Sequence, residues 1–192
     1  MVHTIELAKL SDASDILAIY APYVEATAIS FEYEPPSLEE FRGRIETISK
    51  KYPYLVYKVD RVIIGYAYAS TFKTRDAFMW DVEASVYVKE EYHQCGVAHK
   101  LYEALLKLLY LQGFYNVYSY ITIPNTKSVR FHEKHGFVST AVYEKTGYKQ
   151  GKWYDLLCMT KVLREITSDT EPAPCLSIHD LTQTVIDEAV AF

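Results

Sequence analysis

Apolar positions along this chain switch between spacings of two and spacings of three to four, and the switches divide it into elements. Residues 2–8 alternate loosely and predict a first strand. Ile16, Leu17, Ile19, Tyr20, Tyr23 and Val24 then recur at helical spacing, which predicts a helix to about Thr27 capped by Ser11 or Asp12. Pro22 falls inside it, so a kink or a break into two helices is expected. Residues 28–36 end in two prolines and read as extended. Ser37 opens the next helix, with Glu40 as its capping-box partner and Phe41, Ile45 and Ile48 as its apolar stripe.

Residues 54–59 and 62–71 are strand-like runs joined only by Asp60 and Arg61, which predicts an antiparallel hairpin. Gly65 in the second run marks a bulge or a close approach. A polar-aromatic loop over 72–80 precedes a strand over 81–88. The longest helical pattern covers 96–112, with Val97, Leu101, Leu105, Leu108 and Leu109 on one face and Gly113 as its stop. A strand over 117–123 follows, and Asn125 caps a short helix ending at Gly136. Residues 138–146 and 152–162 are expected to pair across 147–151, a long link for a hairpin. Residues 168–174 read as a linker. Residues 178–191 read as one amphipathic helix with Ile178, Leu181, Val185 and Ala189 on one face. Helices separate some strands while others pair with their neighbours. The expected fold is therefore α/β, a mixed sheet in a single domain over 1–164, followed by an extension over 165–192.

Composition narrows the function classes. A chain of 192 residues that is 49% hydrophobic and 23% charged suits one soluble domain. Its 18 tyrosines read first as packing rings. A net charge of -5 offers no basic footprint for nucleic acid. Cys95, Cys158 and Cys175 show no CxxC or Cys/His spacing, so free thiols and no metal are expected. No basic leader or membrane-length apolar run stands out, and a cytoplasmic protein that does not contact membranes is expected.

One stretch carries candidate chemistry. The strand over 83–88 feeds a loop over 90–98 containing Gly96, and a long helix leaves that loop. Such a turn gathers unpaired N–H groups and the positive end of a helix dipole, which suits a phosphate. A nucleotide P-loop is excluded, because no Gly-Lys-Ser/Thr follows.

The loop His93-Gln94-Cys95-Gly96-Val97-Ala98 resembles the Gln/Arg-x-x-Gly-x-Gly/Ala motif of the GNAT superfamily of N-acetyltransferases. Residues 125–137, from Asn125 to Gly136-Phe137, resemble its second signature. Residues 52–56, 72–83, 86–88 and 147–155, with Ser30-Phe31-Glu32, further resemble the phosphinothricin and methionine sulfoximine acetyltransferase family. The resemblance covers roughly residues 5–163 and leaves out the tail.

The resemblance implies a GNAT fold, a mostly antiparallel sheet with splayed central strands flanked by helices, and acetyl-CoA as cosubstrate. It places Val86, Tyr87 and Val88 along the pantetheine arm. Gln94, Cys95, Gly96, Val97, Ala98 and His99 would cradle the pyrophosphate through their backbone, and Asn125 and Ser128 would touch the cofactor from the short helix. His93 stands where the superfamily carries Gln or Arg. Glu83 is the implied general base, acting directly or through a water. His132, where many members have tyrosine, is an implied acid or base. Phe31, Lys73, Arg75, Glu83 and Ser85 would bind the acceptor, with Arg75 offering a planar fork. Phe78 replaces a tyrosine of related herbicide-resistance enzymes, so methionine sulfoximine and methionine sulfone stand beside phosphinothricin as expected acceptors. The expectation is an N-acetyltransferase for a small amino acid or analogue, homodimeric through the closing hairpin. The alternatives are an enzyme for protein N-termini or polyamines, and a non-catalytic acyl-CoA-binding module.

Overall fold

In a computed structural model, which describes residues 1–167 and 169–191, the strands form one seven-stranded sheet. The strands are β1 (His3–Leu7), β2 (Tyr54–Val59), β3 (Val62–Thr71), β4 (Asp81–Val88), β5 (Asn116–Ile123), β6 (Val138–Lys149) and β7 (Lys152–Val162). They are ordered β1-β2-β3-β4-β5-β7-β6, and every neighbouring pair is antiparallel except β4–β5. Helices cover both faces. Tyr54 and Val56 of β2 pack with α1 (Ala13–Ala26) and α2 (Leu38–Ser49). Leu55 and Tyr57, alternating with them, join the core formed with α3 (Val97–Gln112) and α5 (Gln183–Val190). Strand alternation thus feeds two cores at once, and β2 is accordingly buried almost throughout.

Local expectations fare unevenly. Helix α1 runs unbroken through Pro22, because Ile16, Ile19, Tyr20 and Val24 are buried along it and outweigh one lost hydrogen bond. The Ser37 hydroxyl accepts the Glu40 N–H at 3.2 Å, but the Glu40 carboxylate turns to Arg44, so only half of the capping box forms. Gly65 satisfies both of its readings. The β2–β3 register shifts beside it, and a Cβ there would lie 3.0 Å from Val97 Cγ1 and 3.2 Å from the Tyr87 carbonyl oxygen. The long link over 147–151 is corrected. Strand β6 continues to Lys149, and only Gln150 and Gly151 turn, both at positive φ, as a two-residue hairpin turn requires.

The tail is also corrected. Instead of one helix, a short 3₁₀ turn at Ile178–Asp180 precedes α5. The Thr182 hydroxyl accepts the Val185 N–H and restarts the helix, so Ile186 and Ala189 carry the buried face while Val185 is half-buried. Of the expected linker, Ser168 lies outside the described residues. The tail closes the end of α2, where carbonyls lack helical partners. His179 donates to the Ser49 carbonyl at 2.8 Å, Ser177 to that of Lys50 at 2.9 Å, and the Ile178 N–H to that of Lys51 at 2.9 Å. Buried Gln112 of α3 bridges the Lys51 and Leu176 carbonyls at 2.8 and 2.9 Å. Replacing Gln112 by Ala should lower unfolding free energy by about 2 kcal/mol, read by urea titration, through two lost hydrogen bonds and a small cavity.

Candidate active site

The parallel pairing of β4 with β5 covers only Asp81↔Asn116, Val82↔Val117 and Glu83↔Tyr118. Beyond Glu83, β4 stays paired with β3 and β5 with β7, and the two part. Lys89 N–H bonds the Ile64 carbonyl of β3. By alternation, the backbone groups of residues 84, 86 and 88 therefore face the opening. The Ala84 carbonyl accepts Ser119 Oγ at 3.2 Å. The Val88 carbonyl accepts the Tyr23 hydroxyl and the His93 ring at 3.1 Å. Val86 lies between these two tethers.

At the far end of the opening stands the loop before α3. Gln94 and Gly96 both have positive φ, and Gly96 caps α3 with no side-chain bond to the first N–H groups. A cleft of about 450 Å³ runs from Val86, Tyr87 and Val88 past Gln94, Gly96, Val97, Ala98 and His99 to Asn125 and Ser128. Of the expected cofactor residues, Cys95 alone is off the cleft wall; it is exposed, with Sγ 3.5 Å from the His93 carbonyl oxygen. Asn125 caps α4 (Thr126–Lys134) by accepting the Ser128 N–H at 3.2 Å. His93, the departure from the superfamily motif, lies 2.9 Å from the Tyr23 hydroxyl as well as against Val88. Its ring ties the loop to α1 and β4.

Sequence reasoning missed part of the cleft. Lys127, Arg130 and Lys134 line it from α4 and bring cations to a cleft that also holds the uncapped start of α3. Their spacing of three and four places them on one helix face, a signal that was available in the sequence. Tyr23 and Ile29 also line the cleft, although Tyr23 reads as an ordinary core position.

Glu83 ends the paired part of β4. It is half-buried, its side chain makes no hydrogen bond to the described residues, and burial raises its pKa above the ordinary carboxylate value. His132 is placed differently from a cleft residue. It is 6% exposed, edge-on to Tyr102, Phe131 and Phe137, and absent from the cleft wall. Its Nδ1 lies 2.8 Å from the Ser128 carbonyl oxygen, so that nitrogen carries the donated proton. Burial lowers its pKa and favours the neutral ring, although the Ser128 contact opposes the shift. In this state Nε2 can accept a proton but has none to give, which argues against the acid role.

Of the expected acceptor residues, Ser85 stands opposite Tyr68 of β3 in the sheet register. Phe72 stacks at 3.9 Å on Tyr118, the β5 partner of Glu83. Lys73 Nζ sits 4.9 Å from the Phe72 ring centre and 5.0 Å from that of Phe78, so its charge is engaged over two rings. Arg75 is exposed at the start of the short turn Asp76–Phe78, its side chain without a hydrogen bond or ion pair to the described residues. Phe31 packs against Gly147 and, at 6.5 Å between ring centres, Tyr154. Among the described residues no cluster of His, Cys, Asp and Glu could hold a metal, and no helix is long and apolar enough to cross a membrane.

Known proteins match this geometry. The profile of the acetyltransferase (GNAT) domain fits residues 5–158. A phosphinothricin N-acetyltransferase of Streptomyces viridochromogenes is 36% identical over 149 residues, 78% of this chain and 81% of that protein. An L-methionine sulfoximine/L-methionine sulfone acetyltransferase of Salmonella typhimurium is 31% identical over 163 residues, 84% of this chain and 95% of that one. The crystal structure of a phosphinothricin acetyltransferase from Sinorhizobium meliloti in complex with AcCoA superposes with a TM-score of 0.84 at 33% identity, covering 90% of this chain and 94% of that one. With its split sheet, its uncapped helix start and a domain match across most of its length, this chain belongs to the GNAT family of acetyltransferases.

Proposed function

We propose that the protein transfers the acetyl group of acetyl-CoA to the amine of a small amino acid or analogue of the methionine sulfoximine, methionine sulfone or phosphinothricin type. The observation that carries this reading is Glu83, an unpaired and half-buried carboxylate placed where β4 and β5 part. The domain over 1–164 holds the chemistry and 165–192 forms an extension. Free Cys95, Cys158 and Cys175 fit a reducing, cytoplasmic location.

Each residue group answers one chemical need. The first N–H groups of α3 would hold the pyrophosphate, with Lys127, Arg130 and Lys134 supplying positive charge. Val86 would present backbone groups to the pantetheine arm, and a backbone N–H of Val86 to Val88 would meet the oxyanion that develops on the thioester. Acetyl-CoA supplies the activated acetyl group. Glu83 takes the proton from the acceptor ammonium, freeing a lone pair to attack. Arg75 meets the acceptor's anionic group, and Phe31 walls it. His132 positions α4 against Tyr102 and Phe137 of the core.

Three outcomes are expected. Glu83→Gln should lower kcat about a hundredfold or more at neutral pH, measured by CoA release with methionine sulfoximine as acceptor, while leaving the acetyl-CoA KM unchanged. An undiminished kcat would remove Glu83 as base. The pH profile should follow the raised Glu83 pKa. Activity is lost as pH falls through that value, so the acid limb of kcat/KM lies above the ordinary carboxylate range. The sign for stability is opposite: the folded state favours the protonated form, so ionisation at neutral pH weakens folding. Glu83→Gln should accordingly melt no lower than the parent at pH 7.

The sheet edge supports association of two copies. Strand β6 is a long edge strand exposed over Val138–Thr146, and it carries Val138 at 62% and Val142 at 51% exposure beside exposed Tyr143. Long apolar edges invite pairing. Sedimentation equilibrium should give a dimer, and Val142→Asp should shift it toward monomer.

A further inference from the structure

The tip of the β6–β7 hairpin grips residues 30–33, the stretch between α1 and α2, in three places. Gly147 lies under Phe31: a Cβ built on it would sit 2.2, 2.4 and 2.6 Å from three ring carbons. Its φ is not in the left-handed region, so the close approach of the ring accounts for the glycine rather than any demand of the backbone. The Tyr148 carbonyl accepts the Tyr33 hydroxyl at 2.7 Å. Lys149 is 3% exposed and donates Nζ to the carbonyls of Val24 at 2.6 Å and Ser30 at 2.8 Å.

A buried ammonium needs strong compensation. Val24 lies in the last turn of α1, so the charge meets the negative end of the helix. Glu32 adds attraction, and Glu32 is itself held by Tyr20 at 2.9 Å and Arg44 at 2.6 Å. The hairpin needs none of these contacts to form, because Gln150 and Gly151 already turn it. They serve the segment they grip. That segment is also coupled to the catalytic side of the sheet. Tyr20, which bonds Ser30 at 2.8 Å, packs edge-on against Tyr87 of β4 at 5.2 Å.

We propose that Gly147 and Lys149 are positioning residues of the acceptor site, Gly147 by seating the Phe31 ring and Lys149 by anchoring Ser30. This rests on the reading of Phe31 as the acceptor wall. The shape of the acceptor pocket is then set by a hairpin from the end of the domain, and altering the hairpin alters which amine fits. No residue of the hairpin lines the cofactor cleft, which is built mainly from β4, α3 and α4.

The test is steady-state kinetics on the full chain, by CoA release, with methionine sulfoximine, methionine sulfone and phosphinothricin as acceptors. Gly147→Ala, Phe31→Ala and Lys149→Met should each raise the acceptor KM about tenfold and leave the acetyl-CoA KM within about twofold. A variant that only loses folded protein loses kcat and keeps both KM values. Adding Gly147→Ala to Phe31→Ala should cost nothing further, because the glycine acts through the ring. Unchanged acceptor KM in Gly147→Ala and Lys149→Met, or additive losses in the double variant, would overturn the proposal. Should Gly147→Ala fail to fold, Lys149→Met decides alone. A parent protein inactive on all three acceptors overturns the function reading and takes this proposal with it. An active parent with indifferent variants overturns this proposal only.

Discussion

The site depends on where β4 and β5 stop pairing. Two parallel strands that share only three partnered positions leave the rest of each strand with backbone groups facing a gap. An unpaired backbone group away from water is costly, so a gap of this kind persists only when side chains or ligands complete it. Here Ser119 closes one end at the Ala84 carbonyl, and Tyr23 and His93 close the other at Val88. What stays open between them on β4 is Val86, three residues beyond Glu83. The Glu83 carboxylate, the open stretch of β4 and the uncapped start of α3 are therefore aligned by a single break in the sheet.

His93 shows how a departure from a motif can be structural. A Gln or Arg at that position would offer donors to a phosphate. A histidine reaches back to Tyr23 and Val88 and fastens the loop to α1. The groups left to face an anion in the cleft are the backbone of Gly96 through His99 and the α4 cations.

Much of the fold was legible because periodicity reports burial, and burial decides most of these elements. Every strand was anticipated, as were α2, α3 and α4. Legibility failed where distant partners decide. Pro22 does not break α1, because the burial of Ile16, Ile19, Tyr20 and Val24 cannot be weighed from local propensity. The turn at Gln150-Gly151 was hidden because Gly147 reads as turn chemistry, whereas it is a strand residue beneath Phe31. In the tail, the Thr182 cap was passed over in favour of a longer apolar face. At the site, Glu83 and the Gly96 loop were singled out through the family resemblance, and they lie at the break between β4 and β5 and on the cleft wall respectively. His132 was given as an acid or base by motif position, and what the sequence could not show is that it sits edge-on to Tyr102 and Phe137, where burial favours the neutral ring.

The protein's two tryptophans stand at the end of the 72–80 loop and at the hairpin tip. Trp80 ends the loop over 72–80 and donates its indole N–H to the Ala173 carbonyl of the tail at 3.0 Å. Trp153 is 59% exposed and packs on Tyr148 at the hairpin tip, 5.3 Å between ring centres. Neither lines the cofactor cleft. Tryptophan emission, excited apart from the 18 tyrosines, thus reports on the hairpin tip and on the contact between the 72–80 loop and the tail, whereas the cleft wall carries only tyrosines, Tyr23, Tyr87 and Tyr92, as phenol fluorophores.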